Sequence, residues 1–365
     1  MNKKIIPTII CTMVFFVISA FCWLKPATEF SNSERRPLAQ KPDISISTLV
    51  TGEFMDGFEK YSVDQFPVRD KFGSLKALFS KYIFNKAENN GIFTADGHIS
   101  KIEYPVNADM VNNAEDRFNY LYETYMKGKD VNIYLSLVPD KNYFIAEKNG
   151  YPSIDYDEFI EDFKNRMYYM KYIDIIPFLS IDDYYRTDSH WKQENITDVA
   201  EYIASLMGTD ANAEYEIKNL EKTFEGVYLG QSALPFKPDT IKYLENKTIS
   251  NCTVNYYNTG IPEKGSMYDM DKANGKDPYE IFLSGTTPLV TIENPNSKTD
   301  KELVVFRDSY GSSLVPLLAE GYKKITVVDI RYLQSNFVGN FIEFTNQDVL
   351  FIYSTTLINN SMAMR

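Results

Sequence analysis

The sequence predicts an α/β domain built on a mostly parallel sheet and carried behind one N-terminal membrane-spanning helix. Three observations support this. Strand-like and helix-like stretches alternate both before and after the middle of the chain, which is the pattern of β-α-β units. The apolar run Leu303-Val304-Val305-Phe306 leads into Asp308-Ser309-Tyr310-Gly311, as where a buried strand turns into a helix. An apolar run from Ile5 to Leu24 follows Asn2-Lys3-Lys4, and ~20 such residues span a hydrocarbon core at helical rise.

With 365 residues, 44% hydrophobic and 24% charged, the chain is long and apolar enough to bury a real core. A net charge of -12 and a pI near 4.9 argue against a nucleic-acid partner, because neutralising phosphates requires clustered Lys and Arg. The lysines before Ile5 place residues 1–4 in the cytoplasm as a short tail. Residues 5–24 then form an anchor or a signal segment. An uncleaved anchor is favoured, because no small-x-small cleavage site follows Leu24 and neither Cys11 nor Cys22 sits in a lipoprotein signal. The rest of the chain is therefore expected outside the cytoplasmic membrane. There Cys252 is the one thiol, which leaves no internal disulfide, and no partner residues beside it suggest zinc or a thiol nucleophile.

Residues 25–75 read as a stalk with juxtamembrane helices. Pro26 to Asp43 is polar and aperiodic, and helices are expected over Thr51 to Phe66 and Val68 to Ile83. Residues 76–365 form the main domain. Gly91 to Thr94 and His98 to Ser100 flank Ala95-Asp96-Gly97, a hairpin signal. Helix Asn112 to Lys127, strand Val131 to Val138, helix Asp157 to Lys171 and strand Ile173 to Leu179 follow, then a helical pattern through Val199, Ala200, Ile203 and Leu206. Residues 209–300 are irregular and read as an insertion with some strands. The alternation then resumes: strand Leu303 to Phe306, helix Ser312 to Glu320, strand Lys324 to Asp329, helix Leu333 to Phe337 and strand Val349 to Tyr353.

The chemistry gathers at two motifs. A nucleophilic serine needs a base to take its proton and a carboxylate to fix the tautomer of that base. The chain has two histidines. His98 sits on the hairpin with no carboxylate motif, so a structural role is expected there. His190 lies in Thr187-Asp188-Ser189-His190-Trp191, where Asp188 is placed to curl back to Nδ1. Ser309 stands at a strand-to-helix turn, where the backbone N–H groups of Ser309 and Tyr310 and the helix dipole face a developing oxyanion and Gly311 permits a tight turn. Plainer readings stay open: Asp308 or Ser309 as a helix cap, and Asp188 with His190 as a surface pair. Trp191 is expected to serve as an apolar anchor or a sugar-stacking face. The pairs Tyr168-Tyr169 and Tyr184-Tyr185 read as core packing or as sugar platforms.

A resemblance runs through these motifs in order. Arg35-Arg36-Pro37-Leu38, Asp64-Gln65-Phe66-Pro67-Val68-Arg69-Asp70, Val138-Pro139-Asp140-Lys141 and Thr187 to Trp191 are followed by Asp277-Pro278-Tyr279, Phe282-Leu283-Ser284-Gly285, Asp308 to Gly311 and Val328-Asp329-Ile330-Arg331-Tyr332. The chain resembles the DHHW family of bacterial envelope proteins, which is similar to the SGNH-hydrolase-like domains of alginate O-acetylation proteins. The resemblance implies a three-layer α/β/α SGNH-hydrolase-like sheet and a Ser309–His190–Asp188 triad that transfers O-acetyl groups to a cell-surface polysaccharide. It further implies an acyl donor supplied by a membrane-bound O-acyltransferase, with no metal and no cofactor. Lys141, Tyr310, Arg331 and Gly285 are the expected substrate or oxyanion contacts. Two departures stand out: Ser189 replaces the first histidine of Asp-His-His-Trp, and Thr286 stands where relatives tend to have asparagine. The alternatives are a carbohydrate esterase using the same triad and a non-catalytic protein that binds or guides an exported glycan.

Overall fold

The structure, a computed structural model, describes residues 5–84, 86 and 88–365. The tail expected at residues 1–4 lies outside them. The chain divides into two units, residues 1–90 with 227–236 and residues 91–226 with 237–365.

In the first unit, Ile5–Leu24 is a helix. Among the described residues it is the one helix long and apolar enough to cross a membrane, with a mean hydropathy of 2.5 over Ile5–Cys22. The expected helix from Thr51 to Phe66 is instead two, Ile46–Thr51 and Glu53–Asp64, because Gly52 takes φ 85 and ends the first as it starts the second. Helix Arg69–Leu78 follows and continues through one wider turn, Phe79–Ile83. The aperiodic stretch before these helices is tied down. Asp64 accepts hydrogen bonds from Arg36 at 2.6 and 2.9 Å and from the Ala39 N–H at 2.8 Å. The Gln65 side chain joins Thr28 to Ala39. The Arg36 hydrogen bond is the largest cause holding the Asp64 pKa down at about 2. The Arg-Arg-Pro-Leu and Asp-Gln-Phe-Pro motifs therefore grip each other.

In the second unit the Asp-Gly hairpin forms as expected, Ile92–Ala95 pairing with His98–Lys101 while Asp96 and Gly97 both take positive φ. His98 is buried in it, with Nδ1 3.0 Å from the Asp96 carbonyl. The main sheet has eight strands: β1 Asn132–Val138, β2 Lys171–Tyr172, β3 Thr253–Tyr256, β4 Glu263–Gly265, β5 Leu289–Glu293, β6 Glu302–Arg307, β7 Lys324–Val328 and β8 Asp348–Ser354. Their order is β4-β3-β5-β7-β6-β8-β1-β2, and β7 through β2 are mutually parallel.

Alternation along the central strands sends Leu303, Val305, Leu350 and Ile352 to one face, where they meet helices α3 (Thr197–Leu206) and α4 (Ser309–Leu318). Val304, Phe306, Val349 and Phe351 go to the other, against α1 (Ala108–Leu121) and α2 (Tyr156–Arg166). A sheet buried on both faces reads as continuous apolar runs, which is why these strands were visible in the sequence.

Three expectations change. Ile173 to Leu179 is not a strand: Ile173 makes a last bond to the Leu135 carbonyl, Asp174 then caps the Ile176 N–H, and Pro177 lies in a 3-10 turn. Residues 209–300 are not a separate insertion, since β3, β4 and β5 extend the sheet by antiparallel pairing onto β7. The same stretch also carries a hairpin, Glu216–Phe224 with Asp239–Glu245. The helix expected from Leu333 to Phe337 is a 3-10 helix over Ser335–Asn340. Cys252 is half-buried against the core, where burial raises its pKa to about 11 and keeps the thiol protonated.

Candidate active site

Strand β6 lies between β7 and β8 in the sheet, and its carboxyl end delivers Asp308 and Ser309. Asp308 is the N-cap of α4. One carboxylate oxygen accepts the Tyr310 N–H at 3.0 Å and the other the Ser354 N–H at 2.8 Å, which ties the turn to the end of β8. Because Asp308 does the capping, the Ser309 hydroxyl is left for other work. Of the two residues the sequence offered as a cap, Asp308 takes that place.

Ser309 Oγ lies 2.7 Å from His190 Nε2, and His190 Nδ1 lies 2.6 Å from Asp188 Oδ1. An ionised carboxylate can only accept, so Nδ1 carries the proton toward Asp188 and Nε2 accepts from the serine hydroxyl. The imidazole keeps 12% of its surface exposed while Asp188 keeps none. The carboxylate therefore acts through low-dielectric surroundings, where its pull on a charged imidazole is strong.

The chain folds back on itself to present this pair. Tyr184 bridges to Trp191, and the Tyr185 N–H donates to the His190 carbonyl at 3.0 Å, so that residues 186–189 form the tip of a narrow loop. Trp191 is fully buried, its indole N–H donating to the Tyr310 carbonyl at 3.1 Å and to Ser313 Oγ at 2.9 Å. It is an anchor and not a sugar-stacking face. Tyr184 and Tyr185 are likewise buried and serve as core.

Three of the expected substrate or oxyanion residues point elsewhere. Lys141 is 1% exposed, and its ammonium donates to the carbonyls of Tyr185, Arg186 and Asp188 at 2.9, 3.2 and 2.8 Å. It holds the loop from beneath. Burial is the main cause pushing its pKa down to about 7, against the pull of Asp188 and Asp239. Arg331 is engaged by Asp329 at 2.6 and 2.9 Å, and the Gly285 carbonyl is taken by Arg307 Nη2 at 3.0 Å. These two belong to a network around Asp329, which also receives Arg307 Nη1 at 3.3 Å. Tyr310 does lie beside the site, but its N–H is held by Asp308 and its hydroxyl donates to the Ser189 carbonyl at 2.6 Å. That leaves the Ser309 N–H, at the first position of α4, with no intrahelical acceptor.

Residues 173–328 match the model of the DHHW family, described as DHHW protein. The chain carries a DHHW domain. A DHHW family protein from Eubacterium siraeum is similar in fold, with a TM-score of 0.61 at 24% identity over 76% of this chain and 95% of that one. Bacillus cereus PatB1 with a sulfonyl adduct gives 0.54 at 19% over 73% and 97%, and PatB1 without it gives 0.54 at 18% over 74% and 97%. No curated protein sequence matches the chain.

Within the DHHW span the structure adds residues that sequence reasoning missed. Asp239 accepts the Thr187 N–H at 2.8 Å and the Thr187 hydroxyl at 2.6 Å, pinning the entry to the loop. Tyr279 stacks on the imidazole. Gly226 passes so close that a Cβ there would sit 2.3 Å from the Thr187 carbonyl and 2.5 Å from Asp188 Cβ. No local pattern marks Asp239 or Gly226, and Tyr279 stands in the Asp-Pro-Tyr motif with nothing there to tie it to His190, since each acts through a contact distant in sequence. Gly311 proves to be needed for packing, not for a turn: a Cβ there would meet Arg307 Cβ at 2.6 Å.

Gly226→Ala is expected to displace the Asp188 loop of the DHHW domain and to cost about 1–3 kcal/mol, as overpacking does. Chemical denaturation together with an activity assay checks this. Full activity at wild-type stability would show that the loop yields freely.

Proposed function

We propose that this chain is an extracytoplasmic acyl-group enzyme of SGNH-hydrolase type, an O-acetyltransferase acting on a cell-surface polysaccharide. The observation that carries the reading is the unbroken line of hydrogen bonds from Asp188 through His190 to Ser309 at the carboxyl end of a central strand, where open α/β sheets bind ligands.

His190 Nε2 takes the Ser309 proton as Oγ bonds to the acyl carbon. The resulting imidazolium returns that proton to the donor's leaving group, and the acetyl remains on Ser309 as an ester. A sugar hydroxyl then gives its proton to Nε2 and attacks the ester carbon; the bond from that carbon to Oγ breaks, and the imidazolium returns the proton to Oγ, which restores Ser309. Asp188 orients the imidazole and stabilises its charged form. The free Ser309 N–H and the positive end of α4 favour the oxyanion. The N-terminal helix would hold the domain at the outer face of the membrane, within reach of a membrane-bound O-acyltransferase that supplies the acyl group.

The test is to incubate the protein with a chromogenic acetyl ester, with and without a polysaccharide acceptor, and to map the acetylated peptide. Acetyl on Ser309 that moves to the acceptor is the expected result. Acetate released at the same rate with and without acceptor would mark an esterase. Glycan binding without any acetylated Ser309 would mark a non-catalytic role. A sulfonyl fluoride is a second probe of Ser309, suggested by the sulfonyl adduct in PatB1.

A further inference from the structure

His190 lies against two aromatic rings, and one of them is placed to act on its charge. The Tyr279 ring is stacked face to face on the imidazole, with centroids 3.9 Å apart and planes 10° apart. The Tyr310 ring lies aslant, 5.2 Å away at 54°. Tyr279 is itself held on several sides. Its hydroxyl lies 2.8 Å from Ser313 Oγ, its N–H donates to the Asp277 carboxylate at 3.1 Å, and Phe282 packs on its ring at 5.0 Å. The residue is 3% exposed. Burial raises the pKa of the phenol, so it stays neutral and offers the negative face of an uncharged ring.

Resting on the triad reading above, we propose that Tyr279 is a positioning residue of the relay. Its ring face fixes the plane of the imidazole between Asp188 and Ser309 and stabilises the imidazolium formed in each half of the transfer. In the first half the Ser309 O–H bond breaks, its proton moves to Nε2, and the Oγ electron pair forms the bond to the acyl carbon. The positive charge then stands over the Tyr279 ring until the leaving group takes the proton. A cation over an aromatic face in a desolvated site is held more strongly than one in water.

The other groups around the imidazole have different tasks. Asp188 meets Nδ1 and Ser309 meets Nε2. Lys141 reaches the Asp188 carbonyl and not the ring. Asp308 accepts two backbone N–H groups. Tyr310 donates its hydroxyl to Ser189. Tyr279 alone among them lies flat on the ring.

The test reads the imidazole directly. The chain has two histidines, so comparison with His190→Ala identifies the His190 ring signals by NMR. Titration is followed in a Ser309→Ala background, where no acyl chemistry occurs, with Tyr279 intact or changed to Phe or Leu. The expected result is that Tyr279→Leu moves the His190 titration to lower pH, while Tyr279→Phe, which keeps the π face and loses the hydroxyl, restores it. With Ser309 present, Tyr279→Leu should lower kcat on the order of ten-fold with little change in KM, and Tyr279→Phe should rescue most of that loss. Tyr279→Met, which fills the space without a π face, reads the same comparison if Tyr279→Leu does not fold.

An unmoved His190 titration in the Leu or Met variant overturns the proposal. So does a Phe variant as impaired as Leu, because the Ser313 hydrogen bond would then be the part that matters. Neither outcome touches the triad itself, which fails only if Ser309→Ala protein continues to transfer acetyl.

Discussion

Ser309→Ala and His190→Ala are each expected to lower acetyl transfer on the order of 10⁴- to 10⁶-fold, with the double variant no worse than either alone, because members of a triad act as a unit. The geometry explains why no neighbour replaces them. Nε2 has Ser309 as its one hydroxyl partner at 2.7 Å, the nearby Tyr310 hydroxyl is bound to a carbonyl, and His98 is buried in its hairpin. Asp188→Asn should be nearly as severe, about 10⁴-fold, since an amide no longer selects the tautomer with the proton on Nδ1. Acetyl transfer and thermal unfolding measured on the same preparations check this. Wild-type turnover by folded Ser309→Ala protein would end the catalytic reading in favour of glycan binding.

The largest expected effect on stability is at Asp329, which is fully buried between two guanidinium groups. Arg307, 1% exposed, meets it at 3.3 Å, and Arg331, 17% exposed at the side chain, meets it at 2.6 Å. Burial lowers the Arg307 pKa, and Asp329 is the first charge that opposes this. Asp329→Ala therefore leaves a buried cation without a counter-charge and should cost about 3–5 kcal/mol. Urea unfolding measures the effect. A loss below about 1 kcal/mol would mean that water or Asp308 replaces the missing carboxylate.

How much of this could be read in advance depends on where the physical cause of each feature lies. Strands β1, β6, β7 and β8 were legible because burial on both faces writes apolar runs into the chain. The grouping of Asp188, His190 and Ser309 was legible because a nucleophilic serine needs those residue types, and a spacing of two residues lets one loop hold carboxylate and imidazole together. Strand β3 was not legible: Thr253-Val254-Asn255-Tyr256 is half polar and becomes a strand through pairing with β5 and β4. Lys141 was reached through the Val-Pro-Asp-Lys motif and expected at the substrate, whereas three backbone carbonyls 44 to 47 residues away decide its role. Asp239 and Gly226 left no local trace for the same reason, and the motif that holds Tyr279 said nothing of its contact with His190. Their function consists of what they touch.

The loop that carries Asp188 and His190 is closed at its base by Tyr184, Tyr185 and Trp191, and is further held by residues distant in the chain. Its carbonyls rest on Lys141, its entry on Asp239, and its ring on Tyr279, and the serine it serves is 119 residues from His190. On the proposed reading, reactivity is a property of the finished molecule: a chain still emerging, or one caught half-folded, would carry Ser309 as an ordinary alcohol, and the same event that completes the core would turn it into a nucleophile.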